Sequence, residues 1–162
     1  MTAMIVIRKA SEEDREFVFN LRNETAVREA SFDNVFIDWD THCLWYKEKM
    51  SSGCTVFYIA EIDFLPAGQV RFDISGAQNA EVHIALSSHF RGMGYGAKVL
   101  RETSSQFFDA HPQIQCICAF VKKNNTASVK TFEKAGYGRF TEINRMGELC
   151  MHMILYRDMC TD

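Results

Sequence analysis

The segment His89 to Ala97, His-Phe-Arg-Gly-Met-Gly-Tyr-Gly-Ala, sets three glycines between a run that reads as a strand and one that reads as a helix. Glycines there let backbone N–H groups converge on an anion without interference from Cβ, and a helix start adds partial positive charge. A phosphate or pyrophosphate is the natural ligand; a glycine-rich helix entry with no ligand is the plain alternative. A P-loop would need Gly-Lys-Ser/Thr, and Lys98 is followed by Val99. Gly92-x-Gly94-x-x-Ala97 formally fits a dinucleotide fingerprint, but that motif expects an acid about 20 residues on, at the end of the next strand. The apolar run Ile114 to Val121 carries none.

The flanking chain reads as one mixed α/β unit spanning residues 1–162. Met4 to Arg8 suits an opening strand, and Ser11-Glu12-Glu13-Asp14 is a capping box ahead of a helix carrying Phe17, Val18 and Leu21. Glu24 to Ile37 has mixed character and reads as irregular or partly helical. Asp38 caps a second helix running through Trp45 to Gly53. Cys54 to Ile62, Gly68 to Ile74 and Glu81 to Leu86 form a three-strand meander, with turns at Asp63 to Pro66 and Ser75 to Asn79. Ala97, Leu100, Ser104 and Phe107 mark one face of a helix that Pro112 ends. Ile114 to Val121 is apolar on both faces, as a central strand is. Asn125 caps a further helix closed by Gly136, and Tyr137 to Ile143 and Glu148 to Tyr156 pair around Gly147.

Several function classes are excluded as expectations. A net charge of −3 without a basic block leaves no domain-wide footprint for nucleic acid. No apolar run reaches the ~18 residues of a membrane span, and Met1 to Ala10 lacks a signal-peptide layout. Six cysteines (43, 54, 116, 118, 150 and 160) include no C-x-x-C pair, so they read as reduced core thiols of a cytoplasmic protein, with no metal site.

Arg91-x-x-Gly94-x-Gly96 resembles the acetyl-CoA pyrophosphate loop, Gln/Arg-x-x-Gly-x-Gly/Ala, of the GNAT superfamily, the Gcn5-related N-acetyltransferases. Asn125-Thr126-Ala127-Ser128-Val129-Lys130-Thr131-Phe132-Glu133-Lys134-Ala135-Gly136-Tyr137 is similar to that family's Asn-x-x-Ala/Ser-x-x-Leu-Tyr-x-Lys-x-Gly-Phe helix. The separation of the two motifs and the element order agree over nearly the whole chain. The resemblance implies a mixed six- or seven-stranded sheet with splayed fourth and fifth strands, flanked by about four helices. It implies acetyl-CoA as co-substrate. Main chain at Ile84, Ala85 and Leu86 would hold the pantetheine arm, and N–H groups of Arg91, Gly92, Met93, Gly94, Tyr95 and Gly96 would take the pyrophosphate. Asn125, Ser128 and Phe132 would contact the arm. Phe132 stands where many relatives carry Tyr, so proton donation to sulfur falls to Tyr95, Tyr137 or water, or the thiolate leaves unassisted. Glu81 and His83, on one strand face, are the base candidates.

For the acceptor, Arg22, Asn23, Arg28, Phe32, His42, Trp45 and Arg71 form a pattern similar to the GNAT branch that acetylates the 4-amino group of nucleotide-linked amino sugars. A UDP-sugar offers a diphosphate to arginines and a uracil to an aromatic face. A helix-end salt bridge for Arg22 and a core position for Trp45 are the plain alternatives. A protein N-terminus, a polyamine or an antibiotic amine are rival acceptors, and a non-catalytic acetyl-CoA-binding module is a rival class. A homodimer is left open.

Overall fold

The computed structural model describes residues 2–159; Cys160 lies outside them. The elements are β1 (Ile5–Lys9), α1 (Arg15–Asn23), α2 (Thr25–Ala30), α3 (Trp39–Ser51), β2 (Thr55–Ile62), β3 (Leu65–Ser75), β4 (Asn79–Leu86), α4 (Tyr95–Ala110), β5 (Cys116–Lys122), α5 (Thr126–Lys134), β6 (Gly138–Arg145) and β7 (Glu148–Tyr156). One seven-stranded sheet results, in the order β1-β2-β3-β4-β5-β7-β6. Every neighbouring pair is antiparallel except β4 and β5, which run parallel. The chain must cross over through α4 to make that parallel pair.

Strand alternation sends the two faces of the sheet to different uses. One face carries Val70, Phe72, Val82, Ile117, Ala119, Met153 and Leu155, and packs against Val99, Leu100 and Phe107 of α4 and Val129 and Phe132 of α5. Phe72 stacks on Phe107 with ring centroids 4.2 Å apart. On the other face Phe57 and Ile59 of β2 meet Val18 of α1 and Tyr46 of α3 in a second, smaller cluster. Away from that cluster the same face presents Arg71, Asp73, Glu81, His83 and Phe120, all polar or half-buried.

Five α-helices stand among the described residues where about four were expected. The extra one, α2, buries none of its residues, so it has no periodic apolar stripe to read. The cysteine expectation also needs correction. All five described thiols are free, but only Cys150 is buried, and Cys54 is exposed. No helix among the described residues is long and apolar enough to cross a membrane.

The corner joining β1 to α1 is an ionic knot. Arg8 donates from Nη1 to Asp14 Oδ2 at 2.8 Å, from Nη2 to Asp14 Oδ1 at 2.7 Å, and from Nε to Glu61 Oε1 at 2.7 Å. The Ser11 main-chain N–H donates to the same Asp14 carboxylate at 2.8 Å. Burial raises the Asp14 pKa, but the Arg8 guanidinium and the Ser11 donors outweigh it and hold the carboxyl below its usual value. A folded-state pKa below the unfolded one stabilises the fold above the ordinary carboxylate value of about 3.9, and that contribution is lost as pH falls through the folded value. Asp14→Asn should therefore cost about 1.5–3 kcal/mol at neutral pH, with the difference from wild type shrinking below about pH 4. Urea unfolding of both proteins across pH checks this.

Candidate active site

β4 and β5 pair at only three positions, Asn79 with Cys116, Ala80 with Ile117 and Glu81 with Cys118. Beyond Glu81, β4 stays with β3 through Gly68 opposite Leu86, while β5 stays with β7 through Lys122 opposite Cys150. The facing edges of Val82–Leu86 and of β5 beyond Cys118 thus have no ladder partner across the gap. Their main-chain groups are free to bond an extended polar chain laid between them.

The glycine loop lies at the open end of this gap. Gly92 and Gly94 take φ of +74° and +80°, and a Cβ at either would meet nothing within 4 Å. Gly94 is the N-cap of α4, whose first turn holds no acid to neutralise the helix end. The loop therefore offers an open concavity at a positive helix terminus, which fits the pyrophosphate expected from the sequence. Gly96 has a different reason to lack a side chain. A Cβ there would lie 2.9 Å from Thr131 Cγ2, so this residue lets α4 and α5 approach closely. The Arg91 side chain turns away from the concavity. It donates from Nε to the Leu86 carbonyl at 2.7 Å and from Nη2 to Glu24 Oε2 at 2.9 Å, leaving its main-chain N–H as the group available to an anion.

On the open face of the sheet, Asp73 is the hub. Lys49 Nζ lies 3.0 Å from Asp73 Oδ1, Thr55 Oγ1 donates to Oδ1 at 2.9 Å, and Arg71 Nε donates to Oδ2 at 2.9 Å. Burial raises the Asp73 pKa, but His83, Arg71, Lys49 and Thr55 together hold the carboxyl far below its usual value. His83 Nε2 lies 3.4 Å from Asp73 Oδ2 and 3.6 Å from Glu81 Oε1. Glu81 Oε1 also accepts from Arg145 Nη1 at 2.8 Å. The Arg145 guanidinium carbon lies 4.3 Å from the Phe120 ring centroid and 5.2 Å from that of Phe32.

Three arginines gather next to this group. Burial, with repulsion from Arg28 and Arg71 against attraction from Asp33, lowers the pKa of Arg22. Arg22 Nη2 donates to the Asp33 carbonyl at 2.7 Å, while Arg22 Nη1, Arg28 Nε and the Gln69 Oε1 acceptor are buried without a hydrogen-bond partner. Arg71 lies 5.2 Å from the Trp45 ring centroid. Trp45 is half-buried and leans on Phe57, so it joins the small cluster with one side while carrying Arg71 on its ring.

Three expected contacts are corrected by this geometry. His42 is 1% exposed, with Nε2 2.9 Å from the Arg15 carbonyl and its ring among Phe19, Trp39, Trp45 and Tyr46, so it is a core residue. Asn23 uses both ends of its carboxamide on the main chain of Ile37, at 2.9 Å each, and so staples the segment after α2 to α1. Asn125 caps α5, its Oδ1 accepting from the Ser128 main-chain N–H at 3.1 Å, as its type predicts. Phe132 is 4% exposed and packs edge-on against Tyr137 at 5.1 Å, in the main core rather than along a channel. Tyr137 is removed from the proton-donor candidates as well, because it is 2% exposed with its hydroxyl 2.8 Å from Ser104 Oγ.

Glu24, Lys49, Thr55 and Arg145 are not among the site residues the sequence points to, while the alternation of Gln69, Arg71 and Asp73 predicts that these three share one strand face. Arg145 reaches Glu81 from 64 positions away, and no local spacing encodes that. The two loop glycines separate cleanly by experiment. Gly94→Val should remove measurable coenzyme A binding and cost about 1–2 kcal/mol of stability from the left-handed backbone. Gly96→Val should cost about 1–3 kcal/mol by overpacking against Thr131. Calorimetric titration and denaturant unfolding distinguish the two.

No curated protein matches the chain in sequence. Among solved structures, a spermidine N-acetyltransferase from Vibrio cholerae, crystallised with CoA and spermine, aligns with a TM-score of 0.85 at 16% identity, covering 96% of this chain and 97% of that one. The aminoglycoside acetyltransferase AAC(6')-Ib in complex with coenzyme A aligns with a TM-score of 0.83 at 16% identity, covering 96% of each chain. A domain from Methanocaldococcus jannaschii aligns with a TM-score of 0.77 at 20% identity, covering 95% of this chain and 100% of that one. At these identities the likeness is one of fold. The family model described as the acetyltransferase (GNAT) domain matches residues 5–138. With the split β4–β5 pair and the glycine concavity, that match makes the chain a member of the GNAT acetyltransferase family, whose co-substrate is acetyl-CoA.

Proposed function

We propose that this acetyltransferase acts on the primary amine of a nucleotide-linked 4-amino sugar. The observation that carries the acceptor class is the arginine group. Among the described residues Arg22 and Arg28 each hold a buried nitrogen without a partner, and Arg22 feels the charge of both Arg28 and Arg71. Such mutual repulsion is relieved by an anion, and a diphosphate has the charge and the oxygen geometry for guanidinium groups. A polycationic acceptor, such as the spermine or the aminoglycosides bound by the neighbours in fold, would meet like charge there. The nearby carboxylates give it no relief, because Asp73 is engaged by Lys49 and Arg71 and Glu81 by Arg145.

Bound acetyl-CoA supplies an activated acyl carbon for attack by a neutral amine. The chain's own residues do the rest. Amides from Arg91 to Gly96 hold the pyrophosphate, and the unpaired edge of Val82–Leu86 orients the arm and gives an N–H to the developing oxyanion. His83 and Glu81 stand one residue apart in alternation on the open face, and His83 is the better base because Arg145 engages the Glu81 carboxylate. Phe132 donates no proton, so the thiolate leaves unassisted or with solvent; a thiol of pKa about 8.5 is acidic enough for that.

The test is a thiol-release assay with a UDP-4-amino sugar, spermidine, kanamycin and an N-terminal peptide as acceptors. Turnover with the sugar nucleotide alone is the expected result, and turnover with spermidine or kanamycin in its place would overturn the acceptor assignment. Arg22→Ala should raise the KM for the sugar nucleotide roughly 10- to 100-fold and leave acetyl-CoA affinity unchanged. His83→Gln should lower kcat by about 10²–10⁴, and Glu81→Gln by much less.

A further inference from the structure

Of the groups around the gap, Asp73 has the most contacts and no assigned part in the reaction. Lys49 and Thr55 anchor its Oδ1, and its Oδ2, which accepts from Arg71, also faces His83. Its position follows from the sheet. Asp73 pairs with Glu81 across β3 and β4, and Arg71 pairs with His83, so the four side chains form a square on one face. The His83 ring presents Nε2 to two carboxylate oxygens, Asp73 Oδ2 at 3.4 Å and Glu81 Oε1 at 3.6 Å.

A neutral imidazole carries one proton and one lone pair on its two nitrogens. A lone pair at Nε2 would face two anions, whereas an N–H there is attracted to both. The carboxylates are not equivalent. Each facing oxygen is bonded to an arginine, Glu81 Oε1 to Arg145 and Asp73 Oδ2 to Arg71, but only Asp73 is also held by Lys49 and Thr55 through its other oxygen. Asp73 is fixed in place by three donors and stands nearer the ring.

We propose that Asp73 is the positioning residue that keeps the His83 proton on Nε2 and its lone pair on Nδ1, so that Nδ1 is the atom that takes a proton from the acceptor's ammonium group. The inference deepens the acetyl-transfer reading above and rests on it for the part played by the proton. The balance is simple. Nδ1 gains the proton and the ring becomes an imidazolium, with the Asp73 and Glu81 carboxylates beside its Nε2–H. The amine is left neutral with a free electron pair; its N–C bond forms as the C–S bond breaks, the electron pair of that bond leaving on sulfur, and the second proton of the new amide nitrogen passes to the thiolate or to water. The ring then returns its proton to water. Asp73 touches no reacting atom and acts only through His83.

The tautomer is read directly from the ring nitrogens of His83 by NMR on the 15N-labelled full chain at a pH where the ring is neutral, with no acceptor present. The measurement is therefore independent of which amine the enzyme accepts, and a sugar nucleotide that failed to react would leave it untouched. The wild-type protein should show the Nε2–H form. Asp73→Asn should raise the Nδ1–H population roughly tenfold, and Glu81→Gln should leave the Nε2–H form dominant. An Nδ1–H ring in the wild type would overturn the proposal without recourse to any variant. So would an unchanged tautomer in folded Asp73→Asn, or a Glu81→Gln shift as large as that expected for Asp73.

Discussion

The parting of β4 from β5 after Glu81 is the constraint on which the rest of the structure depends. Three residue pairs join the two strands at one end of the sheet, and beyond them no ladder among the described residues bridges β4 and β5. A continuous parallel pair would satisfy more main-chain groups, so the open edges are stable only with water or a ligand alongside. The same divergence puts the glycine loop at the mouth of the gap and the acid–histidine group on its flank.

Much of this was legible in the sequence, because it is written in local patterns. Gly92, Gly94 and Gly96 stand between alternating and helical periodicities, and that placement alone located the concavity. The alternation of Gln69, Arg71 and Asp73 placed them on one face, and Glu81 and His83 followed the same rule on the next strand. The boundaries of α3, α4 and α5 fell close to expectation, since Asp38 and Asn125 cap as their types predict.

The misses have physical causes. His42 and Asn23 looked like acceptor contacts because polar side chains near an open site resemble ligands in any one-dimensional reading. Their roles depend on the Arg15 and Ile37 main chain, which folding alone brings within reach. Arg145 and Glu24 were invisible for the same reason, each being joined to its partner across more than sixty residues. Phe132 illustrates another limit, for a motif position fixes where a residue sits along a helix but not how deep its ring lies.

Glu24 joins the two halves of the site. Its single Oε2 accepts from the Ser88 amide at 3.1 Å and from Arg91 at 2.9 Å, just before the glycine loop, while its own main chain links α1 to α2. A change of shape in the α1–α2 segment thus pulls on the strand-to-loop hinge that leads into the glycine concavity. Divergence of such a chain toward new amines is mechanically restrained at this link, and changes that leave Glu24 in place are the ones its architecture can absorb.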